Sequence, residues 1–274
     1  MAETARCLCT LEPLEQEGYS ARALERLAGG QPLPSRLDFS RGDLVEIRQQ
    51  TSRRMSISGV QDKLSLRLEG GRLEPTSEGG THILKPIPGT ALPRWTEEVP
   101  ANEHLTMQLA GQVFGLEVAA SALIRMADGE LAYLTRRFDR VEGGEEKIPQ
   151  EDFCQLLGRT PRRVGQTYKY DSSYEEIARA LPRFSATYMI ERERFFRALL
   201  FNYLVANGDA HLKNFSLHRV EQGYRFTPAY DLVCTKLHLP HEARLALDLL
   251  AEGEPWRDQD THGFPTGNTW LEFA

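Results

Sequence analysis

The sequence predicts an α+β chain in two lobes, strand-rich over residues 1–137 and helical over residues 138–274. Three observations carry this. Short alternating runs such as Ser65-Leu66-Arg67-Leu68 fill the front half, and Gly70-Gly71 and Gly79-Gly80 punctuate its turns. Apolar residues take helical spacing in the back half, most clearly over residues 189–206. That helix hands the chain to a polar stretch, Asn207-Gly208-Asp209-Ala210-His211-Leu212-Lys213-Asn214-Phe215-Ser216, with Tyr230-Asp231-Leu232 beyond it.

In order, the first thirty-odd residues read as short pieces closed by the turn-rich Gly29-Gly30-Gln31-Pro32-Leu33-Pro34. Leu44–Ile47, Lys63–Leu68 and His82–Lys85 read as strands. Residues 101–114 form a helix whose apolar face is Leu105, Leu109 and Val113. Ala120–Arg125 and Leu131–Arg137 make a strand pair turning at Ala127-Asp128-Gly129. Behind a hinge near residue 138, a helix begins at Glu151–Leu157, and Ser172-Ser173-Tyr174-Glu175 carries a capping-box pattern. On the 189–206 helix the expected buried stripe is Phe196, Leu199, Leu200, Tyr203 and Leu204. His238-Leu239-Pro240-His241 reads as a loop, because its proline spoils helical pairing of the two histidines.

Bulk properties narrow the class. At 274 residues the chain is long enough for one large domain or two lobes sharing a cleft. A hydrophobic content of 41% and a charged content of 26% describe an ordinary globular protein. The net charge of −6 argues against direct nucleic-acid binding, leaving only local basic patches such as Arg159, Arg162 and Arg163. Four cysteines without a CxxC pair point to reduced thiols, and Cys7-x-Cys9 reads as core packing. No apolar leader opens the chain and no apolar run is bilayer length, so a cytoplasmic location without a membrane is expected.

The chemistry sits in the polar stretch. Asp209 and Asn214 are five positions apart, and Asp231 stands seventeen further on. One carboxylate can orient a hydroxyl and take its proton, while an amide oxygen and a second carboxylate hold Mg²⁺ against nucleotide phosphates. The Asp-x-x-x-x-Asn spacing equals that of a kinase catalytic loop. In the front half, Met55-Ser56-Ile57-Ser58-Gly59-Val60-Gln61-Asp62-Lys63 is a small, polar segment entering a strand, able to lay N–H groups over phosphates. Lys85 closes a strand nearby and can pair with phosphates, with Glu103 on the next helix to hold it. Lone lysines at strand ends are usually solvated, and a loop before a strand often has no further role.

With these segments in place, the chain resembles the HipA-like serine/threonine kinases, toxins of bacterial toxin–antitoxin systems. The resemblance rests on residues 56–64, Thr81-His82-Ile83-Leu84-Lys85-Pro86, Asn102-Glu103, Arg137-Phe138-Asp139-Arg140, Pro149-Gln150-Glu151-Asp152-Phe153-Cys154-Gln155, residues 207–216 and Tyr230-Asp231-Leu232, in the family's order. It implies a two-lobed protein-kinase-like fold and transfer of the ATP γ-phosphoryl group to a protein serine. Asp209 would be the catalytic base, with Asn214 and Asp231 as Mg²⁺ ligands. Lys85 would contact ATP phosphates under a loop of Ser58, Gly59, Val60, Gln61 and Lys63. Arg137 and Phe138 would lie along the adenine-holding hinge, and His211 near the nucleotide.

The phosphate loop arrives early and carries a Ser-x-Ser pair, which makes the chain most similar to the short HipT type of tripartite systems. That likeness implies autophosphorylation at Ser56 and Ser58, a DNA-binding antitoxin, a separate small HipS-like protein, and an aminoacyl-tRNA synthetase as the natural target. A phosphate on either serine adds roughly −1.5 to −2 charge where ATP binds and is expected to restrain the enzyme. The chain is shorter after Asp231 than the family usually is, so an incomplete substrate-docking surface is expected. Two other classes remain open: an aminoglycoside-type small-molecule phosphotransferase, and a catalytically silent kinase-like subunit of a repressor complex.

Overall fold

A computed structural model describes residues 5–51, 63–141, 146–221, 223–251, 265 and 267–273. The chain divides into two compact units, residues 1–146 with 237–240, and residues 147–236 with 241–274.

The first unit opens on a two-stranded ribbon, β1 (Ala5–Arg6) and β2 (Pro13–Leu14), followed by α1 (Ala21–Ala28) and α2 (Leu44–Thr51). Ser20 caps α1 by accepting from the Ala23 N–H, and Gly29 ends it in the left-handed region at φ 60°, which a Cβ would oppose. Strands β3 (Leu64–Glu69), β4 (Arg72–Pro75) and β5 (His82–Lys85), helix α3 (Val99–Gln108), and strands β6 (Ser121–Arg125) and β7 (Leu131–Arg136) follow. The five strands form an antiparallel sheet in the order β4-β3-β5-β7-β6, with Lys85 opposite Tyr133. Leu27, Leu37, Leu66, Leu84, Ile124, Met126 and Leu134 lie in its core, as do Cys7 and Cys9.

Two expectations for this unit are corrected. Leu44–Ile47 begins a helix, not a strand. Ser40 and Asp43 bond side chain to backbone and build a first turn, and Leu44 and Ile47 then share a face at helical spacing while Val45 is exposed. In α3 and the π-turn continuing it (Leu109–Val113), Leu105, Leu109 and Val113 face outward. The buried face is Asn102, Glu103, Thr106, Met107 and Ala110, because its polar members have partners inside. His238 is also buried, its Nδ1 donating to the Arg94 carbonyl and its Nε2 accepting from Asn102.

In the second unit, β8 (Gln150–Asp152) leads into α4 (Phe153–Leu156), so residues 150–152 pair as a strand before the expected helix begins. Asp152 and Gln155 form a capping box there. Next come α5 (Pro161–Val164), α6 (Tyr174–Ala180), α7 (Tyr188–Leu204), β9 (Ser216–Val220), β10 (Gly223–Phe226), α8 (Thr235–His238), which ends in the first unit, and α9 (Gly267–Phe273). Strands β10-β9-β8 make a small antiparallel sheet. The capping box of α6 uses Ser173 and Glu176, one residue later than the expected pattern.

The buried face of α7 is Glu191, Phe195, Leu199 and Asn202, with Phe201, while Leu204 is exposed. The expected stripe was rotated because it ignored the polar members. Glu191 accepts from the Phe226 N–H, and Asn202 bonds Ala198 and Asn207. Phe195 stacks on Phe226 at 5.8 Å and meets Phe215 edge-on at 5.2 Å, a cluster whose truncation would cost about 3–5 kcal/mol. Phe196 and Tyr203 meet Trp270 of α9. Among the described residues no helix is long and apolar enough to cross a membrane.

Candidate active site

The polar loop begins where α7 is stopped. Ala206 adopts φ 54°, and Asn207 turns back so that its N–H reaches the Asn202 carbonyl at 2.9 Å. The Asn207 side chain is buried and donates to Asn202 Oδ1 (2.7 Å) and to the Asp231 carbonyl (3.3 Å). Its own Oδ1 accepts from the Asp209 N–H at 3.3 Å. Thr235 Oγ1 accepts from the Gly208 N–H (2.8 Å) and donates to the Ala206 carbonyl (3.2 Å). A Cβ on Gly208 would stand 2.3 Å from the Ala243 carbonyl oxygen, so only glycine fits.

Beyond Gly208, apolar anchors alternate with polar groups. Ala210, Leu212 and Phe215 enter the core of the unit, and Tyr174 donates to the Ala210 carbonyl at 2.8 Å. His211 and Asn214 close a turn, with Asn214 Oδ1 accepting from the His211 N–H at 3.0 Å and the Asn214 N–H donating to the His211 carbonyl at 2.9 Å. Asn214 Nδ2 then donates to Asp231 Oδ2 at 3.3 Å. Asp231 itself sits at φ 55°, a left-handed backbone that Asp tolerates better than most residues and that is often found at functional sites. Lys213 points away and pairs with Asp152 at 2.6 Å.

Asp209 is half-exposed and accepts a 2.5 Å hydrogen bond from the Tyr170 hydroxyl. His211 Nε2 and Lys169 Nζ each lie 3.9 Å from the same oxygen. Burial holds the His211 imidazole below its ordinary value, against the opposing charge of Asp209. Its Nδ1 is buried without a hydrogen-bond partner among the described residues.

The donor set suits a metal that arrives with a nucleotide. Asn214 and Asp231 offer one amide oxygen and one carboxylate, both hard donors. Magnesium is commonly bound by one or two carboxylates plus phosphates and water, not by an all-protein cage. The described residues hold no cluster of three or more His, Cys, Asp or Glu arranged for a metal.

In the first unit, Lys85 Nζ meets Glu103 Oε1 at 2.5 Å with both side chains buried, and lies 5.3 Å from the Tyr133 ring centre. Arg137 grips Asp139 through two bonds of 2.9 and 2.6 Å beside the half-buried Phe138. Lys63 is exposed at the entrance to β3. Ser56, Ser58, Gly59, Val60 and Gln61 lie outside the described residues. The second unit thus carries Asp209, His211 and Asn214 on one loop and brings Asp231, from the segment after β10, against it. Asn207 and Thr235 hold that loop, and Tyr170 covers its acid. Asn207 stood inside the motif without a role; nothing in the sequence pointed to Tyr170 or Thr235.

Residues 55–273 match the HipA-like C-terminal domain. A candidate kinase of Haemophilus influenzae is 30% identical over 264 residues, covering 90% of this chain and 74% of that protein. The serine/threonine-protein kinase toxin HipA of Shewanella oneidensis is 29% identical over 223 residues, covering 74% of this chain and 48% of its own length. A chain from the solved complex of the Shewanella oneidensis MR-1 toxin–antitoxin system HipA, HipB and its operator DNA shares the fold. Its TM-score is 0.59 at 23% identity, over 85% of this chain and 61% of that one. The chain therefore spans about three quarters of the first relative and about half of the second.

Proposed function

The chain belongs to the family of the HipA-like C-terminal domain, and from that membership we propose that it is an ATP-dependent serine/threonine protein kinase and the toxin of a toxin–antitoxin system. The observation that carries the reading is that hydrogen bonds join the loop of Asp209 and Asn214 to the separate segment of Asp231. Asp209 is exposed enough to reach an incoming serine hydroxyl, orient it and take its proton. Asn214 and Asp231 would hold Mg²⁺, which when bound supplies positive charge at the β- and γ-phosphates. Lys85, kept in place by Glu103, is the residue for the nucleotide phosphates, and the buried His211 stands for the nucleotide. Lys63 with Ser58, Gly59, Val60 and Gln61 would cover the phosphates, and Arg137 and Phe138 would flank adenine.

The finer reading follows the HipT type. Ser56 and Ser58 are the sites of self-phosphorylation, the partners are a DNA-binding antitoxin and a small HipS-like protein, and the substrate is a protein, an aminoacyl-tRNA synthetase by resemblance. Peptide mass spectrometry after incubation with Mg²⁺ and ATP, with Asp209→Asn as control, tests this. Phosphate on Ser56 or Ser58 that is missing in the control supports it. ATP binding without any transfer would favour a silent subunit instead.

A further inference from the structure

Tyr170 lies outside the short segments on which the family resemblance rests, yet its hydroxyl touches the one acid on the 207–216 loop, a solvent-facing one. The bond to Asp209 Oδ1 is 2.5 Å, short for a neutral donor and in the range of a hydroxyl bonded to a carboxylate. The ring is held from two sides. It meets His211 edge-on, with centroids 5.3 Å apart and planes at 70°, and Lys169 Nζ lies 4.8 Å from its centre. Burial raises the phenol's proton affinity, and the bond to Asp209 raises it further, so the proton stays on Tyr170 and is donated.

Those contacts reproduce what a phosphoryl acceptor must do. An acceptor is a hydroxyl that donates to the catalytic carboxylate within hydrogen-bond reach before transfer. Two hydroxyls cannot hold the same position on Oδ1. The segment carrying Tyr170 is also built to move at modest cost. It is a three-residue helix, Tyr168–Tyr170, preceded by Gly165 at φ 95°. Tyr170 and the stretch 165–167 are exposed, while Tyr168 anchors the segment against the core. Few buried contacts bind such a stretch, which is the physical condition for local opening.

We propose that Tyr170 is a gate on the acceptor subsite: its phenol occupies the place of the substrate hydroxyl on Asp209 and must swing out before a protein serine, or water, can enter. The gate rests on the kinase reading of Asp209 given above. It explains why a carboxylate meant for an incoming hydroxyl already carries one, and it makes acceptor entry, not nucleotide binding, the restrained step.

The test follows ADP formation from MgATP, with and without a synthetic peptide of residues 50–64 of this chain. It uses the full-length wild type, Tyr170→Phe, Tyr170→Leu and the double variant Tyr170→Phe/Asp209→Asn. Phe keeps the contacts to His211 and Lys169 and removes only the hydroxyl, and thermal melting checks that each variant is folded. The gate predicts kcat/KM for the peptide, or hydrolysis without it, higher by about fivefold or more in both single variants, with KM for ATP within about twofold. The double variant should fall to background. Wild-type turnover that is unchanged or slowed by Tyr170→Phe overturns the gate and leaves the kinase reading standing. A slowed kcat at constant peptide KM would make Tyr170 a positioning residue for Asp209 instead. ADP formation by none of the proteins overturns the gate and the kinase reading together.

Discussion

Asn207 and Asp231 are joined by a hydrogen bond from a buried side-chain amide to a backbone carbonyl at 3.3 Å, across twenty-three intervening residues. Because the same amide group accepts from the Asp209 N–H, one side chain sets the spacing between both acids. Asn207→Ala would remove three hydrogen bonds in a buried place, at a cost of about 1–3 kcal/mol in stability. Displacing Asp209 relative to Asp231 should lower turnover by about 10²-fold. Thermal melting together with initial rates of transfer checks both parts.

Gly208 offers a steric test. A Cβ there meets the backbone oxygen of Ala243 at 2.3 Å and Glu242 at 2.8 Å, and a backbone atom cannot rotate away. Gly208→Ala should destabilise the second unit by roughly 1–3 kcal/mol and lower turnover. Urea denaturation measures the first effect, and a melting curve like that of wild type would contradict it.

The Lys85–Glu103 pair separates stability from function. Both partners are buried, so removing either leaves the other charge without its main partner, at a cost of about 3–5 kcal/mol. Joint replacement, Lys85→Met/Glu103→Leu, should recover most of that stability, because an apolar pair needs no desolvation. It should not recover MgATP affinity if Lys85 serves the phosphates. Urea denaturation and calorimetric MgATP titration on the three variants give the answer.

Acid sensitivity follows from two buried histidines. Burial lowers His82 and His104 from the ordinary 6.5 to about 4. His82 is neutral in its site, with Nε2 donating to the Leu27 carbonyl and Nδ1 facing Thr81 Oγ1. The unfolded chain binds protons that the folded chain refuses between these two values. Stability from this source is complete above about pH 6.5 and is lost as pH falls toward about 4, at up to ~1.4 kcal/mol per pH unit for each histidine. Urea denaturation at pH 7.5, 6.0 and 5.0 should show the decline beginning before ordinary carboxylates titrate.

What could be read from the sequence divides along physical lines. His82–Lys85 and the pair around Ala127-Asp128-Gly129 were legible because alternation and turn residues are local signals. Leu44–Ile47 was misread because four residues cannot separate period two from period three, and the Ser40–Asp43 turn decided the matter. The faces of α3 and α7 were misassigned for one shared reason. Apolar counting cannot see that Asn102, Glu103, Glu191 and Asn202 are buried by partners elsewhere in the chain. At the loop, isolated acids and amides made Asp209, Asn214 and Asp231 visible; Asn214 bonds Asp231, and Asn207 bonds the backbones of Asp209 and Asp231. Tyr170 and Thr235 were invisible because their contacts cross thirty-nine and twenty-seven positions of chain with no motif.

The most direct test of the central claim is the rate of phosphoryl transfer from MgATP by Asp209→Asn relative to wild type, with MgATP affinity measured on the same samples. Asparagine keeps the size of Asp209 and an oxygen for Tyr170, but cannot take a proton. The account predicts a loss of about 10³-fold or more in rate with nucleotide affinity nearly unchanged. Transfer at a near-normal rate by Asp209→Asn would contradict it.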